Sequence, residues 1–140
     1  VALVLDTSAL LAALDSADAD HERCARLIAD SREELVVPAL VLSELDYWCH
    51  KRLTGDVWLD FLQDVLDEAY NVEHPTRVDL NRCLDLQRTY ADLKVGVVDA
   101  SVLAVVERLG EPKLATLDHR HFSTMRPRHI EALELLPAAS

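Results

Sequence analysis

The chain, 140 residues long, predicts an α/β fold: a mostly parallel sheet of four to five strands covered by helices on both faces. Three observations carry this. Short apolar runs alternate with segments of helical period, the pattern of strand–helix–strand units. Half of the residues are hydrophobic, which supports a real core and argues against disorder. Acidic residues directly follow two of the apolar runs, and ligands in such folds bind outside the carboxyl ends of the strands.

Each element follows from local pattern. Residues 2–5 are a short continuous apolar run and read as a buried strand. Residues 9–14 form a helix that Asp6 or Thr7 can cap. Residues 20–31 form a second helix, with Cys24, Leu27 and Ile28 on one face. Residues 35–37 are the second strand, closed by Pro38. A longer helix runs over about 39–53 with Val41, Leu45 and Trp48 on its apolar face, and Gly55 breaks it. Residues 57–66 are another helix, and 70–73 a weak third strand. Leu80, Cys83, Leu84, Leu86 and Gln87 mark a helix reaching Tyr90. Residues 99–109 form a very apolar helix ended by Gly110. The fourth strand is 113–117, and 131–136 is a candidate fifth. Residues 1–140 are expected to form a single domain, with 136–140 as a frayed tail.

Fourteen bases against 25 acids leave a net charge of −11, which argues against loose, charge-driven nucleic-acid binding. A polyanionic substrate would need metal bridging and a local basic patch; alternatively, much of the negative charge faces a basic protein partner. Cys24, Cys49 and Cys83 are far apart and form no zinc-type cluster, so buried thiols in a reducing compartment are expected. The apolar runs are far short of a membrane span, and the first is not preceded by a basic leader. The expectation is a soluble, cytoplasmic protein.

Four carboxylates stand out. Asp6 ends the first apolar run, and Asp118 follows Leu114-Ala115-Thr116-Leu117. Glu44 lies at the margin of a helical apolar stripe, and Asp99 opens the most apolar helix. Each has a plain structural role open to it: a cap for Asp6, a snorkelling side chain for Glu44, a dipole partner for Asp99 and a turn residue for Asp118. If the two strands are neighbours, however, the acids can converge at one sheet edge. Gathered carboxylates repel unless a cation sits among them. A hard divalent ion and metal-assisted hydrolysis are then the natural chemistry. Ser8 and Thr116 can hold these acids, and Asp92 is a further candidate, either supporting the site or ending a helix. Lys51, Arg52, Lys94, Arg120, Arg126 and Arg128 are candidates for phosphate contacts, with bases densest over 119–129. His119 and His121, flanking Arg120, read as a surface turn. No HExxH, GxxxxGK[ST] or GxGxxG motif occurs.

Together, Leu5-Asp6-Thr7-Ser8-Ala9-Leu10, Leu42-Ser43-Glu44-Leu45, Val98-Asp99-Ala100-Ser101 and Ala115-Thr116-Leu117-Asp118 resemble the PIN-domain ribonucleases. Within these, the chain resembles the VapC toxins of bacterial toxin–antitoxin pairs, over residues 3 to about 136. The resemblance implies a three-layer α/β/α PIN-like fold and an acidic metal site of Asp6, Glu44, Asp99 and Asp118. It implies one or two Mg²⁺ or Mn²⁺ ions per active site and endonucleolytic RNA cleavage that inhibits translation or growth. Ser8 and Thr116 match supporting positions, and Asp92 an additional acid found in some members. The implied partners are an RNA substrate, a second copy in a homodimer, and a VapB-like antitoxin whose C-terminal segment enters the acid pocket.

Two other readings keep the same fold: a catalytically silent interaction module that captures Arg with its acids, and a metal-dependent DNA nuclease. A phosphoacceptor receiver domain would want adjacent early acids and a late Lys where Asp118 stands. A haloacid-dehalogenase-type phosphatase would want Asp where Ser8 stands.

Overall fold

A computed structural model describes residues 1–138. Along the chain, β1 (Ala2–Leu5) leads to α1 (Thr7–Leu14) and α2 (His21–Asp30). β2 (Glu34–Pro38) leads to α3 (Ala39–Arg52) and α4 (Gly55–Leu66). β3 (Asn71–Glu73) is followed by α5 (Arg77–Thr89), a 3₁₀ turn at Ala91–Leu93 and α6 (Val97–Leu109). β4 (Lys113–Ala115), α7 (His119–Thr124) and β5 (Glu134–Leu136) complete the order. The five strands form one parallel sheet in the order β3–β2–β1–β4–β5, sandwiched in a three-layer α/β/α arrangement.

The central position of β1 explains its composition. All four of its residues are buried, so it carries no polar alternation. It pairs with β2 through Leu3↔Leu35 and Val4↔Val36, and with β4 through Val4↔Leu114 and Leu5↔Ala115. That second pairing sets the ends of β1 and β4 side by side. α6 is buried without a break from Ala100 to Val106, as its nearly continuous apolar sequence demands. Its C-cap, Gly110, is left-handed at φ 69°, a conformation that Gly adopts without steric cost.

Several expectations are corrected. Gly55 does not merely end α3; it is the first residue of α4, whose N-cap Thr54 accepts from the Val57 amide at 3.4 Å. The buried face of α3 is Val41, Leu45 and Cys49, with Trp48 37% exposed. The buried face of α5 is also not the expected one. Leu80 and Leu84 are exposed, while Asp79, Arg82, Cys83 and Leu86 point inward. The reason is electrostatic: α6 presents Glu107 and Arg108 to α5. Arg82 donates to both Glu107 oxygens at 2.8 and 2.9 Å, and Arg108 Nε meets both Asp79 oxygens. The stretch after Asp118, read as a turn, is a six-residue helix anchored by buried Phe122. The tail expected to fray from 136 is held as far as 138. Leu136 belongs to β5, its carbonyl accepts from the Thr116 amide, and the Ala138 carbonyl accepts from Arg23. Residues 139 and 140 of that expected tail lie outside the described residues.

Arg82 also donates to Asp85 and to the Arg126 carbonyl, so one buried guanidinium ties α5 to α6 and to the segment after α7. Replacing it with alanine takes the charged partner from the Glu107 carboxylate and leaves it the Arg128 amide, at 2.8 Å from Oε2. Urea unfolding of Arg82→Ala is expected to show a loss of about 3–5 kcal/mol. A loss below about 1 kcal/mol would mean the pair contributes no more than a surface ion pair.

Candidate active site

The site begins where β1 ends. Asp6 occupies the N-cap position of α1 in extended conformation, yet its side chain caps nothing. Instead it turns across to β4. Its Oδ2 accepts from Thr116 Oγ1 at 2.7 Å and from Ser8 Oγ at 3.2 Å. Its Oδ1, fully buried, has no hydrogen-bond partner among the described residues. Asp6 is only 2% exposed. Burial first, and the charge of Asp99 second, push its carboxyl from 3.8 up to about 7.

The two hydroxyls beside Asp6 are themselves fixed. Thr116 Oγ1 accepts from the Asp118 amide at 3.0 Å, and Ser8 Oγ accepts from the Leu117 amide at 2.9 Å. Their lone pairs therefore hold the loop after β4, and their protons face Asp6. Ser8 is thus a bracket between β1 and β4; no histidine or lysine within hydrogen-bond reach activates it as a nucleophile.

The remaining acids come from three helices. On α3, Glu44 is half-buried and accepts from Thr7 Oγ1 at 2.6 Å. Asp99, in the first turn of α6, meets His121 Nδ1 through its Oδ2 at 2.7 Å. Burial is the largest influence on Asp99 and raises its pKa, opposed by His121 and reinforced by Asp118. Asp118 is the N-cap of α7: its Oδ1 accepts from the His121 amide at 3.1 Å, while its Oδ2 lies 3.0 Å from His121 Nδ1.

The structure thus brings Asp6, Glu44, Asp99 and Asp118 into the lining of one cavity of about 350 Å³, with Ser8 beside them. Trp48 and Arg52 of α3 line its rim. Thr116 lies beneath it, fully buried against Asp6. Other candidates lie elsewhere. Asp92 is exposed on the 3₁₀ turn and does not line this cavity. Arg120 and Arg126 are exposed, and the Arg128 guanidinium pairs with Asp85 on α5 at 2.6 Å. Arg52 is the arginine that lines the cavity, and it is partly held by Asp15 at 3.4 Å and Asp18 at 3.7 Å. A larger cavity, about 830 Å³, lies beside α2 between Leu3, Leu27 and Leu136, and gathers none of the four acids.

Three participants were not assigned from sequence. Thr7 orients Glu44, His121 bridges Asp99 and Asp118, and Trp48 edges the cavity instead of filling the core. Only His121 carried a readable signal, its place three residues after Asp118 on what is in fact a helix.

The donor set fits a hard divalent cation. It offers several carboxylate oxygens, one of them buried and without a proton donor among the described residues, on an acid whose pKa burial and the Asp99 charge push up to about 7. Asp99, Asp118 and His121 each offer an atom within 4.8 Å of the others.

The result is an α/β/α domain whose parallel sheet brings Asp6 and Asp118, from the ends of β1 and β4, to one acid-lined cavity with Glu44 of α3 and Asp99 of α6. The chain belongs to the PIN-domain family, whose profile matches residues 3–127, and within it to the VapC type. It is 33% identical to Ribonuclease VapC26 of Mycobacterium tuberculosis over 125 residues, spanning 89% of this chain and 93% of that protein. Among solved structures, Mycobacterium tuberculosis VapC20, a sarcin–ricin-loop-cleaving toxin, superposes with a TM-score of 0.78 at 22% identity, over 85% of this chain and 92% of that one. The VapBC2 complex of Rickettsia felis bound to promoter DNA gives 0.68 at 17% identity, over 96% and 98%.

Proposed function

We propose that this protein is the toxin of a type II toxin–antitoxin pair, a Mg²⁺- or Mn²⁺-dependent endoribonuclease that stops translation or growth by cutting RNA. The observation that carries the reading is the buried, partnerless Asp6 Oδ1 in a cavity lined by Glu44, Asp99 and Asp118. These four acids are the proposed metal-holding and catalytic residues, with Ser8 and Thr116 positioning Asp6. Asp92 keeps at most an outlying role. The 33% identity to a protein named as a ribonuclease supports RNA as substrate.

One or two bound ions would neutralise the scissile phosphate and lower the pKa of the attacking water. The chain's own groups do the positioning. Thr116 and Ser8 hold Asp6 Oδ2, leaving Oδ1 directed away from them. Thr7 holds Glu44 in the cavity wall, where a carboxylate can orient the water or take its proton. Arg52, which lines the cavity, is the proposed phosphate contact there; Arg120, Arg126 and Arg128 do not line it and would meet RNA outside the cavity.

A basic antitoxin segment that enters the cavity and pairs with its acids fits the net charge of −11. The toxin–antitoxin complexes among similar folds support such a partner. A homodimer has exposed apolar side chains to use: Leu80 and Leu84 on α5, and Leu59 and Leu66 on α4. A cytoplasmic location accords with three free, buried cysteines. Among the described residues no helix is long and apolar enough to cross a membrane.

The test uses protein freed of any co-purifying partner, mixed with structured RNAs and matched DNA in Mg²⁺, Mn²⁺ or chelator. Discrete RNA cuts that require metal are expected. Cuts in DNA alone would replace the substrate class, and an intact pool with folded protein would favour the silent interaction module.

A further inference from the structure

We propose that His121 is a metal ligand, its Nδ1 joining Asp99 Oδ2 and Asp118 Oδ2 in a nitrogen–carboxylate site that prefers first-row transition ions such as Mn²⁺ to Mg²⁺. The inference rests on the proposed use of a divalent ion, and adds to it a ligand and a selectivity.

Two of the three donor–donor distances already have the length that a shared ion requires. Nδ1 lies 2.7 Å from Asp99 Oδ2 and 3.0 Å from Asp118 Oδ2. Bonds of 2.0–2.1 Å at right angles would place neighbouring donor atoms about 3 Å apart. Atoms offered by all three residues fall within 4.8 Å of one another, close enough to share one ion. Local structure enforces the arrangement. Asp118 Oδ1 is used to cap α7 by accepting from the His121 amide, which directs Oδ2 towards the His121 ring one helical turn on. Asp99 is delivered from α6, a helix buried along most of its length.

A second observation points to a cation. Asp6, 2% exposed, keeps its Oδ1 without a partner in the lining of the same cavity as Asp99 and Asp118. No proton donor of the described residues answers it, so a further positive centre suits this wall. His121 is singled out among neighbouring histidines: His50 pairs only within its own helix, and His129 Nε2 meets the Glu111 carbonyl.

The chemistry decides the selectivity. Mg²⁺ takes oxygen donors and keeps its waters, whereas imidazole suits Fe, Ni, Cu and Zn; Mn²⁺, the weakest binder of that first-row series, shares the carboxylate preference of Mg²⁺ and gains less from the nitrogen than the later ions do. Mn²⁺ against Mg²⁺ is therefore the most demanding comparison. An ion bound at Nδ1 takes the imidazole lone pair there, and any proton carried by that nitrogen passes to solvent.

The experiment uses full-length, untagged protein without RNA. Calorimetry is expected to find Mn²⁺ bound at least about tenfold more tightly than Mg²⁺. Pulsed electron paramagnetic resonance of the Mn²⁺-loaded wild type is expected to show imidazole-nitrogen hyperfine coupling. That coupling should vanish in His121→Gln, with the preference narrowed about tenfold, and persist in His119→Gln. Mn²⁺ bound to wild type without nitrogen coupling, or coupling that survives in His121→Gln, would overturn the proposal; the wild-type spectrum needs no variant to fold. Parallel RNA assays separate the two readings. Metal-dependent cleavage without nitrogen coupling defeats only the His121 ligand, and nitrogen coupling without cleavage defeats only the ribonuclease. Absence of Mn²⁺ binding defeats the His121 ligand and leaves the ribonuclease reading to the RNA assay in Mg²⁺.

Discussion

Asp99→Asn is expected to cut RNA about a thousandfold more slowly than wild type, with the fold intact. The substitution preserves shape at the first turn of α6 but removes a charge from the cavity and one of the two carboxylates that His121 bridges. A thousandfold loss corresponds to about 4 kcal/mol of transition-state stabilisation, within reach of one lost metal-holding group. Stability should not follow activity. Asp99 is partly buried and its pKa is raised by that burial, so a neutral side chain relieves a desolvation cost. Single-turnover cleavage in saturating metal, beside urea unfolding, tests both halves. A rate within tenfold of wild type would remove Asp99 from the chemistry.

The second large effect concerns Asp6 and runs against intuition, because removing this acid should stabilise the metal-free protein. Its folded pKa is about 7 against 3.8 for a free carboxyl. Below pH 4 the group is protonated whether the chain is folded or not, and contributes nothing. Between about pH 4 and 7 the unfolded chain ionises while the folded one stays protonated, so stability falls as pH rises. Above pH 7 the loss is complete, roughly 4 kcal/mol at 1.36 kcal/mol per unit. Asp6→Asn lacks this dependence. In chelator the variant should gain on wild type progressively from pH 4 to 7 and keep its lead at pH 8. Added Mg²⁺ or Mn²⁺ should then raise the wild-type melting temperature and leave that of the variant nearly unmoved. Parallel stability curves for the two proteins across pH 4–7 would show that Asp6 is not held neutral by burial.

Much of this was legible because the strands are so purely apolar. A run such as Val4-Leu5 followed directly by an acid can be placed without knowing the partners, since a central parallel strand has no solvent face to encode. The convergence of Asp6 with Asp118 needed only that β1 and β4 be neighbours, and they are. What escaped was decided by contacts between distant segments. Leu80 and Leu84 read as core because periodicity ranks leucine above arginine, but α6 offers Arg82 and Asp79 the opposite charges that make them the buried face. Val41 and Leu45 continue as well to Trp48 as to Cys49 on a helical wheel. The small thiol is buried and the large ring sits at the cavity rim. α7 has six residues, too few to show a period, and its start is set by a cap whose partner is its own third residue.

The pairing of β1 with β4 also sets when the acid site can form. Asp6 and the Thr116 hydroxyl that orients it are 110 positions apart. During synthesis, β1 can dock on β2 as soon as residues 34–38 emerge, but nothing can occupy its other edge until β4 has been made. Contacts so distant in the chain are slow to form and late to be rewarded. A nascent chain that stalls or is degraded before β4 therefore carries Asp6 and Glu44 without Asp118, Thr116 or His121. The four acids therefore come together in one late step, with the docking of β4 on β1, and until then no cavity exists for a substrate or a cation to enter.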